Sequence, residues 1–409
     1  MKKNILLFCF LLYSFNSFSQ HINVAFPSDT FTLAGTLSIP QGTGPFPVIV
    51  LVHGSGPNDR DQTLTLSGGN FSCLYPSLVN KTIKNFKDIA TSFSSRGYAV
   101  LRYDKRSLTH GSKLDPKKIS PYDFVTDIHS AVEFVKTRTE IDTSCIILLG
   151  HSQGGNFIPI VAKQRNDISV LLSLGTGGQG IDSIIAIQGR DIYYKCLKDT
   201  STGNSHYAKT LSDFGKIRKR TWGANNPYSG IYPKFWEDWI DITDSSIINY
   251  QTINTPTLLL HATEDFNIPM TSAKRFENQV KRNGFDLFYM NGLNHYFTNS
   301  SDPSVHKSVV DTMVYWLKNN KVKNSLSQLN SQVVSYSLLD YSEKLIIKFE
   351  VEENVNLQLL NMEGRVISKF HNGSTNEIRI SKEYLANGIY ILKGQVSQIP
   401  FSRKIVIRG

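Results

Sequence analysis

The sequence predicts an α/β fold: a mostly parallel sheet with a helical cap, followed by a small all-β sandwich module. Three observations predict it. Near-continuous apolar runs alternate with stretches of helical period, the pattern of strands covered on both faces. One long segment, 181–250, has no such run and is rich in large aromatics instead. Beyond residue 332 the period becomes two, with turn dipeptides between short runs. At 409 residues the chain exceeds one ordinary domain. Its 40% hydrophobic and 19% charged composition excludes a mostly disordered chain, a collagen-like fibre and a multi-span membrane protein.

The chain opens Met1-Lys2-Lys3-Asn4, runs almost wholly apolar over 5–13 and reaches small residues at Ser17 and Ser19. A basic start, a short apolar core and a small-x-small site mark a secretory signal over 1–19, with cleavage expected after Ser19. The run is too short for a stable membrane anchor. Cys9 lacks small residues just before it, so no lipoprotein anchor is expected. Cleavage leaves Cys73, Cys145 and Cys196, an odd number, so at least one stays outside any disulfide within the chain. Whether Cys73 and Cys196 pair stays open, and four cysteines are too few for a disulfide framework.

From 20 to 320 the chain reads as the larger, α/β domain. The apolar runs 47–52, 98–103, 145–149, 170–174, 257–260 and 285–289 are expected strands. Phe124, Ile128, Val132 and Val135 make a helical stripe within 122–137, as do Val309, Val310, Met313, Val314 and Leu317 within 308–317. Over 181–250, Tyr193, Tyr194, Tyr207, Phe214, Trp222, Tyr228, Tyr232, Phe235, Trp236 and Trp239 are expected to form an inserted cap. Most of those rings pack the cap's own interior. A polar linker covers 321–332, and 333–409 is the β module.

The chemistry is carried by Gly150-His151-Ser152-Gln153-Gly154-Gly155, directly after the 145–149 strand and before a helical stretch. This is G-x-S-x-G in the strand–turn–helix context it requires, where small residues allow a turn that lifts Ser152 clear of the sheet. A serine alkoxide needs a base, and the base an orienting acid, in the chain order Ser, acid, His. Asp265, after the 257–260 strand and before Ile268-Pro269, is the expected acid, with Glu264 its rival. His295, after the 285–289 strand, is the expected base, with His306 a poorer alternative. The oxyanion of a tetrahedral intermediate needs backbone donors. Those expected are the N–H groups of Gln153 and of Ser55, in the loop His53-Gly54-Ser55-Gly56.

Other patterns weigh less. Gly175 to Gly180 formally fits G-x-G-x-x-G, but the acidic residue ending a second strand about 20 residues on is missing. Lys216, Arg218, Lys219 and Arg220 form a basic run that reads as a solvated helix face, with an acidic-substrate contact as the other reading. No zinc spacing or EF-hand loop occurs, so neither metal nor cofactor is expected. A net charge of +10 is a mild excess over this length. No DNA- or RNA-binding motif accompanies it, so no nucleic-acid partner is expected.

From 31 to 317 the chain resembles the α/β-hydrolase superfamily, of the secreted bacterial carboxylesterase type. The resemblance rests on the blocks 52–61 (VHGSGPNDRD), 102–106 (RYDKR), 150–155 (GHSQGG) and 292–295 (GLNH). It implies hydrolysis of small-molecule esters beneath a helical cap. Ser107 departs from the Gly or Thr common at that position, in a loop expected to be structural or at the pocket edge. The same triad serves serine peptidases, and a surface binding protein on a retired scaffold is a third reading. The C-terminal segment resembles a type IX secretion sorting domain of type A, through 360–366 (LNMEGRV), 385–392 (LANGIYIL) and 404–408 (KIVIR). That implies the type IX secretion machinery as partner, location outside the cell, removal of the module and attachment to the cell surface.

Overall fold

The structure, a computed structural model, describes residues 20–67, 69–319, 336–340, 344–361, 365–383, 385, 386, 388–396 and 399–407. The expected signal segment and the linker lie outside these. The chain divides into two compact units, Met1–Leu326 and Ser327–Gly409.

The first unit is built from strands β1 (Gln20–Ser28), β2 (Phe31–Ile39), β3 (Phe46–Val52), β4 (Thr63–Thr65), β5 (Thr82–Lys84), β6 (Ala99–Tyr103), β7 (Ile141–His151), β8 (Ile168–Leu174), β9 (Thr257–Ala262) and β10 (Phe285–Met290). Its helices are α1 (Gly69–Leu74), α2 (Asn85–Ser94), α3 (Arg106–Thr109), α4 (Pro121–Lys136), α5 (Gln153–Gln164), α6 (Ile181–Ile192), α7 (Thr200–Arg218), α8 (Pro233–Asp244), α9 (Ser246–Thr252), α10 (Met270–Gln279) and α11 (Lys307–Asn319). The main sheet has the order β1-β2-β6-β3-β7-β8-β9-β10. From β6 to β10 every neighbouring pair is parallel, whereas β1, β2 and β6 pair antiparallel.

All six expected strands are present; runs such as Val48–Val52 are buried on both faces, whereas the edge strand β10 is mostly half-buried and leaves Phe288 exposed. The hairpin β1–β2 was not expected. Most of β1 is exposed or half-buried, so it offers no apolar run to read. It is fixed by its partners: Ser28 donates to Asp127 at 2.7 Å, and Arg106 holds both Asp127 and Asp29. Helix α4 starts where its sequence permits. Ser120 Oγ accepts from the Tyr122 N–H, the Asp123 carboxylate accepts from the Ser120 N–H, and Pro121 needs no donor there. Such a cap stabilises a helix by about 1 kcal/mol.

The cap segment is helical, and Ile181, Ile184, Phe214, Ile217, Trp236, Trp239 and Ile240 form its own apolar cluster with Ile268. Trp236 and Trp239 stack at 5.6 Å. The end of the 181–250 segment is different. Tyr250, on α9, is buried in the main core and donates to the Gly155 carbonyl at 2.6 Å, so α9 flanks the sheet instead of capping it. Of the basic run, Arg218 pairs with Asp182 and Asp244 and Arg220 with Asp241. These two cations tie cap helices together. A disulfide joins Cys73 on α1 to Cys196, 123 residues on, and Cys145 is buried in β7.

The second unit holds β11 (Tyr336–Asp340), β12 (Lys344–Leu360), β13 (Val366–Ser381), β14 (Gly388–Val396) and β15 (Ile399–Ile407). The expected all-β module is antiparallel throughout, and its described strands are hydrogen-bonded as one five-stranded sheet. Register shifts interrupt the pairing of β12 with β13, and one apolar cluster gathers Leu345, Ile347, Leu357, Ile378, Leu392 and Ile405.

Candidate active site

Strand β7 ends in the turn that carries Ser152, whose φ of 53° and ψ of −118° put a non-glycine residue in a sparsely populated conformation. The turn is held from both sides. The Ser152 N–H donates to the Leu174 carbonyl at 2.8 Å, and the Ser152 carbonyl accepts from the Gly155 N–H at 3.0 Å. Only glycines fit around it. A methyl on Gly154 would run into the Val52 carbonyl, and one on Gly155 into Thr176 Oγ1.

Asp265 and His295, the expected acid and base, lie on the loops after β9 and β10. His295 Nδ1 and Asp265 Oδ2 are 2.7 Å apart, with both side chains buried. The other carboxylate oxygen, Oδ1, accepts from the Ile268 N–H at 2.7 Å. Glu264, the rival, is exposed, and its backbone N–H donates to the Leu293 carbonyl. His306 is exposed and bonds Ser308 at 2.8 Å. The loop bearing His295 is shaped by Asn294, whose side chain accepts from the Tyr296 N–H and donates to Thr298 Oγ1.

Two further side chains join these pieces. The Gly54 N–H donates to Gln62 Oε1 at 3.0 Å, so Gln62 Nε2 is the donor to His151 Nδ1 at 2.7 Å. His151 must then carry its proton on Nε2, which donates to the His295 carbonyl at 2.9 Å. Burial and the neighbouring His295 push the His151 imidazole down to about 3, so it stays neutral. A chain of hydrogen bonds therefore runs from the loop after β3, through the residue preceding Ser152, to the backbone of His295. The His151 and His295 rings are 4.8 Å apart. Gly54 and Gly175 close the remaining space. A Cβ on Gly54 would lie 3.3 Å from Ser152 Cβ, and one on Gly175 3.3 Å from both Asp265 Oδ2 and His295 Nδ1.

Gln153 opens α5 and is buried, and Ser55 is exposed on the loop after β3. Gln153 follows Ser152 directly, and the approach of Gly54 to Ser152 brings the loop of Ser55 beside it. The blocks at 52–61 and 102–106 interlock: Arg60 grips Asp104 with two nitrogens, Arg102 pairs with Asp61, and Lys105 Nζ donates to the Gly54 carbonyl at 2.8 Å. The loop Tyr103-Asp104-Lys105-Arg106, read from sequence as structural or at the pocket edge, thus carries a residue bonded to Gly54 and Gln153. No spacing rule reveals Lys105, Gln62 or His151, because each acts on a partner 48 to 144 positions away in sequence. The glycine loop after β8 is no phosphate cradle, since the Gly178 and Gln179 N–H groups are spent on Ser272 Oγ. Among the described residues no group of His, Cys, Asp or Glu side chains could hold a metal ion.

Residues 79–302 match the family described as serine aminopeptidase, S33, and residues 341–408 match the secretion system C-terminal sorting domain. The sorting domain supports secretion and surface attachment. Esterase EstD of Thermotoga maritima is 28% identical over 297 residues, which cover 70% of this chain and 65% of that esterase's length. Among solved structures, the esterase domain of a Rhodothermus marinus protein has a TM-score of 0.46 at 17% identity, covering 73% of this chain and 98% of its own. The acylaminoacyl peptidase of Pyrococcus horikoshii gives 0.47 at 15%, covering 74% of this chain and 42% of its own. With an α/β-hydrolase core and a family match over more than half its length, the chain belongs to the serine aminopeptidase, S33, family.

Proposed function

We propose that the protein is a secreted serine hydrolase that cleaves carboxylic esters through Ser152, His295 and Asp265. The observation that carries this reading is the buried imidazole–carboxylate pair at 2.7 Å, tied through His151 to the strained turn of Ser152. His295 Nε2 takes the proton of Ser152 Oγ as that oxygen attacks the ester carbonyl carbon. Asp265 keeps the Nδ1–H tautomer and stabilises the imidazolium that forms. The carbonyl oxygen becomes an anion and receives the N–H groups of Gln153 and Ser55. The intermediate collapses, and His295 protonates the leaving alcohol. Water then attacks the acyl-enzyme with His295 again as base, releasing the carboxylic acid and restoring Ser152. The type IX secretion machinery is the expected partner through the C-terminal module, with attachment at the cell surface.

The name of the Thermotoga relative favours esters, while the family's description favours the release of amino acids from amides. The same triad serves both, so a panel of acyl esters against aminoacyl amides separates them. With the full chain, Ser152→Ala should lower p-nitrophenyl acetate turnover by about 10⁴-fold or more while the fold survives. Turnover at the wild-type rate in that variant would end the assignment. A non-catalytic surface binding protein would leave Ser152 unreactive toward a fluorophosphonate probe.

A further inference from the structure

Lys105 is nearly wholly buried, 3% exposed, and stands directly behind both loops that border Ser152. Its ammonium has three donors. One goes to the Gly54 carbonyl at 2.8 Å and one to Gln153 Oε1 at 3.2 Å, while the ammonium sits 4.1 Å from the centre of the Phe124 ring. Lysines are rarely buried without a carboxylate partner, yet no ion pair joins this one to any described residue. Asp127 is held by Arg106, and Asp104 by Arg60. Its hydrogen bonds go to Gly54 and Gln153.

The Gly54 carbonyl belongs to the same peptide unit as the Ser55 N–H. The bond between them is trans, so the C=O and N–H bonds point in opposite directions and their dipoles add. A cation bound at the carbonyl end thus directs the N–H end away from itself, and polarises the unit so that its N–H becomes a stronger donor. The Gly54 N–H is meanwhile spent on Gln62, which fixes the peptide unit on its other side. Gln153, whose own backbone N–H is the second expected oxyanion donor, is gripped by the same ammonium.

We propose that Lys105 is a positioning residue for the oxyanion donors: its ammonium aims and polarises the Gly54–Ser55 peptide and locks Gln153. The proposal rests on the serine-hydrolase reading. It predicts that reactivity falls as pH rises and Lys105 loses its proton. Burial pushes that ammonium down to about 7, opposed in part by Asp127. The other groups around it do not compete in that range. His53 is held neutral at about 3, His151 likewise, and burial pushes Tyr103 up. Arg106 stays charged against Asp127, and Asp104 stays charged against Arg60.

The test uses the full chain and its Lys105→Met and Lys105→Gln variants. Fluorophosphonate labelling of Ser152 is timed across pH, and p-nitrophenyl acetate kinetics are expressed per labelled site. Lys105→Met should label about tenfold to hundredfold more slowly, short of the ~10²–10³ for outright loss of an oxyanion donor. Its kcat should fall in proportion, with KM within about twofold. Lys105→Gln, which keeps a neutral donor, should fall between, and both variants should lose the alkaline decline. Labelling of Lys105→Met at the wild-type rate with the wild-type alkaline limb would overturn the proposal and leave the hydrolase reading standing. So would a loss confined to the number of sites that label, which marks a folding defect. Absence of wild-type labelling would overturn both.

Discussion

Acidification from pH 7 to pH 5 should destabilise the catalytic unit through two histidines that water does not reach. His53 and His151 are both 2% exposed, and burial holds each at about 3. In the unfolded chain each titrates near 6.5. Between the two values the unfolded state binds protons that the native state refuses, so stability falls as pH falls. At pH 5 each group costs about 2 kcal/mol by linkage, or about 4 together, against a typical total of ~5–15 kcal/mol. His261, also lowered by burial, adds in the same direction. Asp88 and Asp127 are raised by burial and act the other way, but the Val305 N–H and Arg106 hold those shifts back. Urea unfolding followed by tryptophan fluorescence measures the loss cleanly. All four tryptophans, Trp222, Trp236, Trp239 and Trp316, belong to the first unit. His53→Gln and His151→Gln should each remove roughly half of the pH slope, whatever they do to stability at pH 7. A wild-type stability at pH 5 within about 1 kcal/mol of that at pH 7, or an unchanged slope in both variants, would refute the reasoning.

Two further outcomes are expected. Asp127→Asn removes the buried anion of Arg106, where the two side chains are 3% and 1% exposed, and leaves only the exposed Asp29 as counter-charge. It should lower the urea-derived stability by up to about 3–5 kcal/mol, and a change under about 1 kcal/mol would contradict the ion-pair account. Reducing the Cys73–Cys196 disulfide frees a 123-residue separation, worth up to about 5 kcal/mol of unfolded-chain entropy. Dithiothreitol should therefore lower the melting temperature of the first unit in the wild type but not in Cys73→Ser. An equal response in both would exclude the staple.

What the sequence determined by itself was whatever rests on local chemistry. Buried parallel strands announce themselves because every side chain must be apolar, and the turn at Ser152 because only glycines clear the Val52 carbonyl and Thr176. The strands that precede the loops bearing Ser152, Asp265 and His295 were legible for the same reason. The strand β1 was not, because its inward residues Ile22, Val24 and Phe26 alternate with exposed ones and make no continuous apolar run. Only the tertiary structure decided which of two neighbours is buried and which distant partners meet. Asp265 and Glu264 are adjacent carboxylates, and burial of one against His295 while the other faces water depends on how two loops meet. The helix α9 left the cap because the Tyr250 hydroxyl finds Gly155, 95 positions earlier. Lys105 looked like one more charge in a loop until folding laid it against Gly54 and Gln153. A residue's type fixes what bonds it can make, but which partner it finds depends on the path of the whole chain.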